Sequence, residues 1–500
     1  MFKFLIDSHS LKKLTLFNLV YRETSLNNTY LSEKISISPR SVNRYIHTLN
    51  DEIFSLCNKN DFLQVDGLTY YKINAKYSNQ EALDTFYCLK LFYLKKSLSF
   101  ELIVKLGTQG KTLLSDLIVE LSVSASYLLR VIKKISILLQ KFDFTINIDK
   151  FNRLTLSGDE KKIRTFLFTL LSDSFQNIEW PFKNISRIEI QKIMTAGSVS
   201  SLKQLEDSRK ELLFAIIYTR VSSKRYIKKP DPYIEDIFNI LSKTENTNIP
   251  PISANFIGQS ENQAIEILYY NFMVSVFISN TLSTSWKQNI GEQIYHKNHE
   301  VIKFCKGLIN AIQEEKQVQL DIADKHIELY KFVLFYVLLL DFQLDSSPFL
   351  TLTFPTPNYN FNINNSAMKA VKNIYNNYLE NEVITPFLKF KLRNDSYMKF
   401  SYSIAYNFWT SLDKPKLHIY LQVLKDFTAR DIIKKRISSI FNPENITFTN
   451  NIGSTDLVIS DTLDQKQALP IFFIYDLQNK NEWSNLISYI QKLLIDKLFE

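Results

Sequence analysis

The chain has 500 residues, too many for one core and enough for three to five packed units at roughly 100–200 residues each. With 45% apolar and 22% charged residues it has the composition of a folded, soluble protein, and its 9 glycines leave little material for glycine-rich phosphate cradles. The net charge of +9 is concentrated: residues 1–165 hold 24 Lys and Arg against 16 Asp and Glu, whereas the rest holds 36 against 35, so the first third carries the footprint of a polyanion-binding module.

Met1 to Asp7 offers too short an apolar run before its first charge for a signal peptide. Leu11–Glu23 then has helical spacing of Leu11, Leu14, Leu16, Leu19 and Val20, and Tyr30–Ile35 predicts a second short helix. Ser38 is a suitable N-cap and Pro39 fits the first helical position, where its missing N–H costs nothing. The helix that follows has the apolar stripe Val42, Ile46, Leu49 and Ile53, which leaves Arg40, Asn43, Arg44 and His47 on the opposite side. Phe62–Ile73 alternates like a hairpin, with Asp66-Gly67 at its turn.

The unit recurs at an offset of 86: Ile35-Ser36-Ile37-Ser38 returns as Leu121-Ser122-Val123-Ser124, and Leu31, Val42, Arg44, Ile46, Leu49 and Leu68 correspond to Leu117, Leu128, Arg130, Ile132, Ile135 and Leu154. Ahead of the second copy, Gly107-Thr108-Gln109-Gly110-Lys111-Thr112 is two residues short of a P-loop and reads as a loop. Lys111–Glu120 is a helix, Ser124 caps the next one to about Lys141, and Phe144–Leu156 is a hairpin turning at Asp149–Arg153. Ser126, Tyr127, Arg130, Lys133 and Lys134 line the outward stripe of the second recognition helix. Helix-turn-helix plus hairpin is a winged-helix pattern. Such a helix fits the B-DNA major groove, presenting Arg or Asn to base edges, while lysines and wing residues such as Lys150 and Arg153 meet phosphates.

From about residue 160 to 345 the pattern is helical, with core stripes at Ile163, Phe166, Leu167, Leu170 and Leu171, at Leu212, Leu213, Ile216 and Ile217, and at Val301, Ile302, Cys305, Leu308, Ile309 and Ile312. Prolines break it at Lys228–Pro232 and Asn248–Pro251. His296, His299 and Cys305 lack a fourth ligand, so no metal site is expected, and a cysteine on an apolar stripe is not expected to be a nucleophile. Cys57, Cys88 and Cys305 are widely spaced, which predicts free thiols in a reducing cytoplasm. His326, flanked by polar residues at the start of a helix running to Leu340, is expected to be reachable by a partner enzyme. The longest apolar run, Phe332–Leu340, is about half the ~20 residues of a membrane span.

Ser346–Asn365 reads as a linker, and Ala367–Glu380 as a helix. After Pro415 the period changes: strands are expected at Leu417–Val423, Ile446–Thr449, Asp456–Ser460 and Ile471–Tyr475, with helices at Ala429–Phe441 and Glu482–Leu498. Alternation of this kind implies a parallel sheet.

Two tandem winged helices, joined through Leu156-Ser157-Gly158-Asp159-Glu160-Lys161-Lys162-Ile163-Arg164 to helical modules and an α/β tail, resemble the Mga/AtxA group of bacterial virulence and global regulators along essentially the whole chain. The resemblance implies a mainly α multidomain protein: a first winged helix-turn-helix over 1–75, a second, Mga-like one over 76–160, helical phosphotransferase-system (PTS) regulation domains over 161–285 and 286–395, and a dimerising domain similar to a sugar-transport IIB protein over 396–500. It further implies a cytoplasmic transcription activator that binds double-stranded promoter DNA as a homodimer, with a PTS phosphocarrier protein as a partner. The sequence departs from that pattern in two places. No histidine lies between His47 and His296, which leaves His326 as the candidate phosphorylation site ahead of His296 and His299, and no cysteine follows Cys305, so the IIB-like tail should be unable to carry phosphate. No catalytic residue, cofactor or metal is expected. The alternative reading is an RNA-binding antiterminator with the same kind of regulatory domains, although that group begins with a small β-rich module; a phosphotransfer enzyme is disfavoured by the missing tail cysteine and the shortage of glycine.

Overall fold

The computed structural model describes residues 5–22, 26–66, 70–195, 205–243, 260–278, 282–343, 366–380, 388, 392–393, 395–412, 416–423, 429–450, 453, 455–461, 470–474 and 476–499. Helix accounts for 68% of these residues, in 19 helices, with small sheets beside them. The chain divides into two compact units, one of Met1–Ile309, Leu320–Asn362 and Leu379–Phe400, the other of Asn310–Gln319, Ile363–Tyr378 and Ser401–Glu500.

The first unit opens with α1 (Ser8–Arg22), β1 (Leu26–Asn27), α2 (Asn28–Ile35), α3 (Pro39–Cys57), β2 (Leu63–Asp66) and β3 (Tyr70–Ile73). After α4 (Asn79–Lys95) the same order returns as α5 (Leu98–Gln109), β4 (Thr112–Leu113), α6 (Leu114–Glu120), α7 (Ala125–Gln140), β5 (Phe144–Ile148) and β6 (Arg153–Gly158). Each copy has an antiparallel three-stranded sheet in which the second hairpin strand is central, in the orders β1-β3-β2 and β4-β6-β5. The turn residues 67–69 of the first hairpin, Leu68 among them, lie outside the described residues.

The repeat extends to backbone conformation. Ser36 and Ser122 both take a left-handed φ, of 55° and 52°, between the paired helices. Ser38 then accepts a hydrogen bond from the Ser41 N–H and Ser124 from the Tyr127 N–H, so both recognition helices start with a serine cap. The offset of 86 does not persist into the wings. Leu26 pairs with Tyr71 where Thr112 pairs with Leu154, so Tyr71 is the counterpart of Leu154 and the offset there is 83. The recognition helices account for the change, being 19 and 16 residues long.

Two local expectations are corrected. The strand β4 opens what reads in sequence as a helix from Lys111, and Gly107–Gln109 belongs to α5, which ends at Gly110 with φ 76°. Gly107 is there for packing: a Cβ on it would lie 2.4 Å from Leu167 Cδ2. It lets α5 approach α8 (Glu160–Phe175) closely.

Helices α9 (Arg187–Thr195), α10 (Leu205–Ser222), α11 (Glu235–Leu241), α12 (Ser260–Phe277), α13 (Thr284–Tyr295), α14 (Glu300–Lys316) and α15 (Ile322–Phe342) follow. The three apolar stripes read from the sequence are buried. The proline segment at 228–232 separates α10 from α11, whereas 248–251 and 346–365 fall outside the described residues. A buried polar network binds the end of the second wing to these helices. Arg164, fully buried, donates to both carboxylate oxygens of Glu266, to Glu160 and to the Arg225 carbonyl. Arg220, equally buried, donates to Glu160 and to the Leu156 carbonyl of β6. Next to it, Asp341 accepts from Lys161 at 2.9 Å and from the Tyr269 hydroxyl at 2.7 Å.

In the second unit, after α16 (Ser366–Glu380) and α17 (Asp395–Ser411), four strands, β7 (Leu417–Gln422), β8 (Ile446–Thr449), β9 (Leu457–Ser460) and β10 (Ile471–Phe473), form one parallel sheet in the order β10-β9-β7-β8. Helices α18 (Ala429–Ile440) and α19 (Lys480–Phe499) cover it through Ile433, Ile437, Leu486 and Ile490. The sheet, its parallel sense and both helices follow the sequence expectation. No helix among the described residues is long and apolar enough to cross a membrane.

Candidate nucleic-acid interface

The apolar stripe of α7, Leu128, Ile132, Ile135 and Leu139, is buried, and burial of that side sets the opposite one toward solvent. Ser126, Tyr127, Arg130, Lys133 and Lys134 are all exposed. The Arg130 guanidinium lies 5.6 Å from the Tyr127 ring, within reach of a cation–π contact. Arg40, Asn43, Arg44 and His47 are likewise exposed on α3, with Arg44 beside Tyr45 at 6.0 Å. None of Arg40, Arg44, Arg130, Lys133 and Lys134 pairs with a carboxylate among the described residues. A cation without an internal partner keeps its full charge for an incoming phosphate or guanine edge.

Two of the expected contact residues are less available than their sequence suggests. The Asn43 side-chain carbonyl accepts from the Asn28 amide at 2.9 Å and from the buried Tyr71 hydroxyl, so Asn43 ties α2 and β3 to the recognition helix. Arg153 is drawn back onto Asp149, its Nε donating at 2.7 Å. The Asp149 carboxylate also accepts the backbone N–H groups of Arg153 and Phe151, and these bonds, the one from Arg153 foremost, hold its carboxyl below the usual carboxylate range. The wing tip is thereby fixed, and Lys150 stays exposed on it.

Phe151 was not singled out by sequence reasoning. It stands 59% exposed at that tip, with the Arg153 guanidinium 4.8 Å and the Lys150 ammonium 5.2 Å from its ring. An aromatic in a four-residue turn has no periodicity to mark it. A groove of about 390 Å³ beside α7 also escaped notice, bringing Lys96, Ser97 and Ser99 next to Arg130 and Lys134, with Asp7 on its wall. Its residues come from three separate segments, so no spacing signals it.

His326 is not the accessible residue its polar neighbours predict. It is buried at 8% exposure, with its ring 5.3 Å from that of Tyr295. The cause is the crossing of α13 over α15 at Gly291, where a Cβ would lie 2.0 Å from the His326 carbonyl oxygen. Backbone cannot give way as a flexible side chain can. Gly291→Ala is therefore expected to lower stability by about 1–3 kcal/mol, the range for overpacking, read as an earlier midpoint in urea unfolding. No group of three or more His, Cys, Asp or Glu that could hold a metal occurs among the described residues.

Residues 88–171 match the Mga helix-turn-helix domain. The Mga domain so defined contains α5, α6, the exposed face of α7, both strands of the second wing and most of α8, and the match supports the Mga-family resemblance drawn from sequence. No curated protein matches the chain.

Proposed function

We propose that the chain is a DNA-binding transcription regulator whose Mga domain sets α7 into the major groove with Lys150 at the adjoining backbone. The observation that carries this reading is the row Arg130, Lys133 and Lys134, exposed on the recognition helix of the matched segment and paired with no carboxylate among the described residues. The first winged helix repeats the device with Arg40, Arg44 and His47, and two modules on one chain would bind a long site more tightly than either alone. The finer parts of the proposal are activation of promoters, assembly as a homodimer through the α/β unit, a cytoplasmic location and no enzymatic activity.

Regulation by a phosphocarrier protein at His326 belongs to the same proposal, with one condition set by packing. The α13–α15 crossing must open before the imidazole can be reached, so phosphorylation would be coupled to a rearrangement of those helices. His326→Ala is the variant to examine: unchanged oligomeric state and an unchanged promoter response to sugar would count against this part.

Binding of a promoter duplex should be compared with that of hairpin RNA over a salt series. Six exposed cations, Arg40, Arg44, Arg130, Lys133, Lys134 and Lys150, meeting phosphates would make log affinity for duplex fall with log salt at a slope of about five. Stronger binding to the hairpin would favour the antiterminator reading, and an affinity flat in salt would contradict both.

A further inference from the structure

We propose that the groove beside α7 is a binding site for a small organic phosphate monoester, and that its occupancy excludes DNA from the second recognition helix. The exclusion rests on the reading of α7 as the DNA-contacting helix; the site itself does not. The groove, of about 390 Å³, is shared by three stretches of chain: the segment ahead of α1, the junction of α4 with α5, and one edge of α7. Lys96 comes from the junction, and Arg130 and Lys134, four residues apart and therefore on one side of the helix, come from α7. All three are exposed, and none pairs with a carboxylate among the described residues. The Lys96 ammonium lies 3.9 Å from the Phe92 ring, a contact that leaves its charge in place. Asp7 is the one carboxylate among the lining residues, and its Oδ1 is engaged by the N–H groups of His9 at 2.9 Å and Ser10 at 3.0 Å. The Tyr93 hydroxyl donates to Glu52, which is itself paired with Lys13 at 2.8 Å, so Tyr93 gives the groove its ring.

Three cations against one carboxylate leave an excess of two positive charges on one concave wall, and their mutual repulsion is relieved by an anion. A phosphate monoester carries close to two negative charges at neutral pH and matches that excess, whereas each phosphodiester link of DNA carries one. The Arg130 fork can donate to two phosphate oxygens at once, with the two ammonium groups beside it. The hydroxyl of Ser97, which makes no capping hydrogen bond, and that of Ser99 supply further donors. Leu5, Ile6, Leu98 and Val131 wall the remaining space, so a compact organic group fits behind the phosphate. Arg130 and Lys134 also belong to the row that faces the duplex, and a bound phosphate takes both of them from it.

The test titrates the full chain with phenyl phosphate at neutral pH and constant ionic strength in a calorimeter, with dimethyl phosphate, a singly charged diester, standing in for a DNA backbone link. One phenyl phosphate should bind per chain, at least about tenfold more tightly than dimethyl phosphate. Lys96→Ala should weaken phenyl phosphate at least about fivefold while keeping the parent's urea midpoint, because Lys96 is exposed, and should change duplex affinity little, because Lys96 lies off α7. In competition, phenyl phosphate at about ten times its dissociation constant should weaken apparent duplex affinity about tenfold. No saturable binding of phenyl phosphate, equal binding of dimethyl phosphate, or an unchanged affinity in Lys96→Ala would overturn the site and leave the regulatory reading standing on its own duplex binding. Phenyl phosphate that binds as expected without displacing duplex would overturn the exclusion and count against α7 as the DNA-contacting helix.

Discussion

Arg130→Ala, Lys133→Ala and Lys134→Ala combined are expected to weaken duplex binding about a hundredfold at 0.15 M salt and to reduce the salt slope by nearly three, since each phosphate contact contributes about 0.9 to that slope. The physical reason is that these cations spend nothing on internal ion pairs: all three are exposed on α7 and none meets a carboxylate among the described residues. Their removal should leave the fold intact, because the packing side of α7 is the separate stripe Leu128, Ile132, Ile135 and Leu139. Circular dichroism and the urea midpoint should match the parent. Lys435→Ala, Lys480→Ala and Lys492→Ala combined, three exposed lysines on α18 and α19, serve as the charge-matched control and should change affinity little. Parent-like binding by the triple variant would remove α7 from the interface. Single changes on α3 are expected to act in the same direction with smaller effect, since Arg44 is one contact among several.

Glu266→Ala is expected to cost about 3–5 kcal/mol of stability, the largest single effect predicted for this chain. Glu266 is fully buried and accepts two bonds from the fully buried Arg164 and one, at 2.9 Å, from the Ile227 N–H. Desolvation acts against the guanidinium charge, and Glu266 foremost among its partners offsets it, so the Arg164 pKa stays raised. Deleting the carboxylate leaves a desolvated cation with Glu160 as its remaining carboxylate and the Arg225 carbonyl as a neutral acceptor, and an unpaired amide besides. If unpaired charge is the cause, Arg164→Met with Glu266→Met should recover at least half of the loss, because replacing both members of a buried pair by apolar groups is close to neutral. A double variant as unstable as Glu266→Ala would place the cost in packing instead. The measurement is the urea midpoint. The network also holds the Leu156 carbonyl at the end of the second wing through Arg220, so the same variant should raise amide exchange along β6.

How far the sequence could be read depended on whether a feature was local. Serine caps and an apolar stripe every three or four residues are written within one turn or two, and they located both recognition helices within a residue of their true starts. The parallel sheet of the second unit was legible for the same reason, since strand and helix periods alternate along the chain. Register across a wing is not local. The loss of one helical turn from α7 relative to α3 shifts everything after it, and only strand pairing shows Tyr71 to be the partner of Leu154 in the repeat.

The sequence by itself determined that the amino-terminal third is a duplicated cationic winged-helix unit, because helix caps, periodicity and net charge are properties of neighbouring residues. Tertiary structure alone decided which polar groups remain available. It withdrew Asn43 and Arg153 into internal bonds and enclosed His326 beneath a glycine crossing. Availability depends on what the rest of the chain packs against each group, and spacing along the sequence carries no record of that packing.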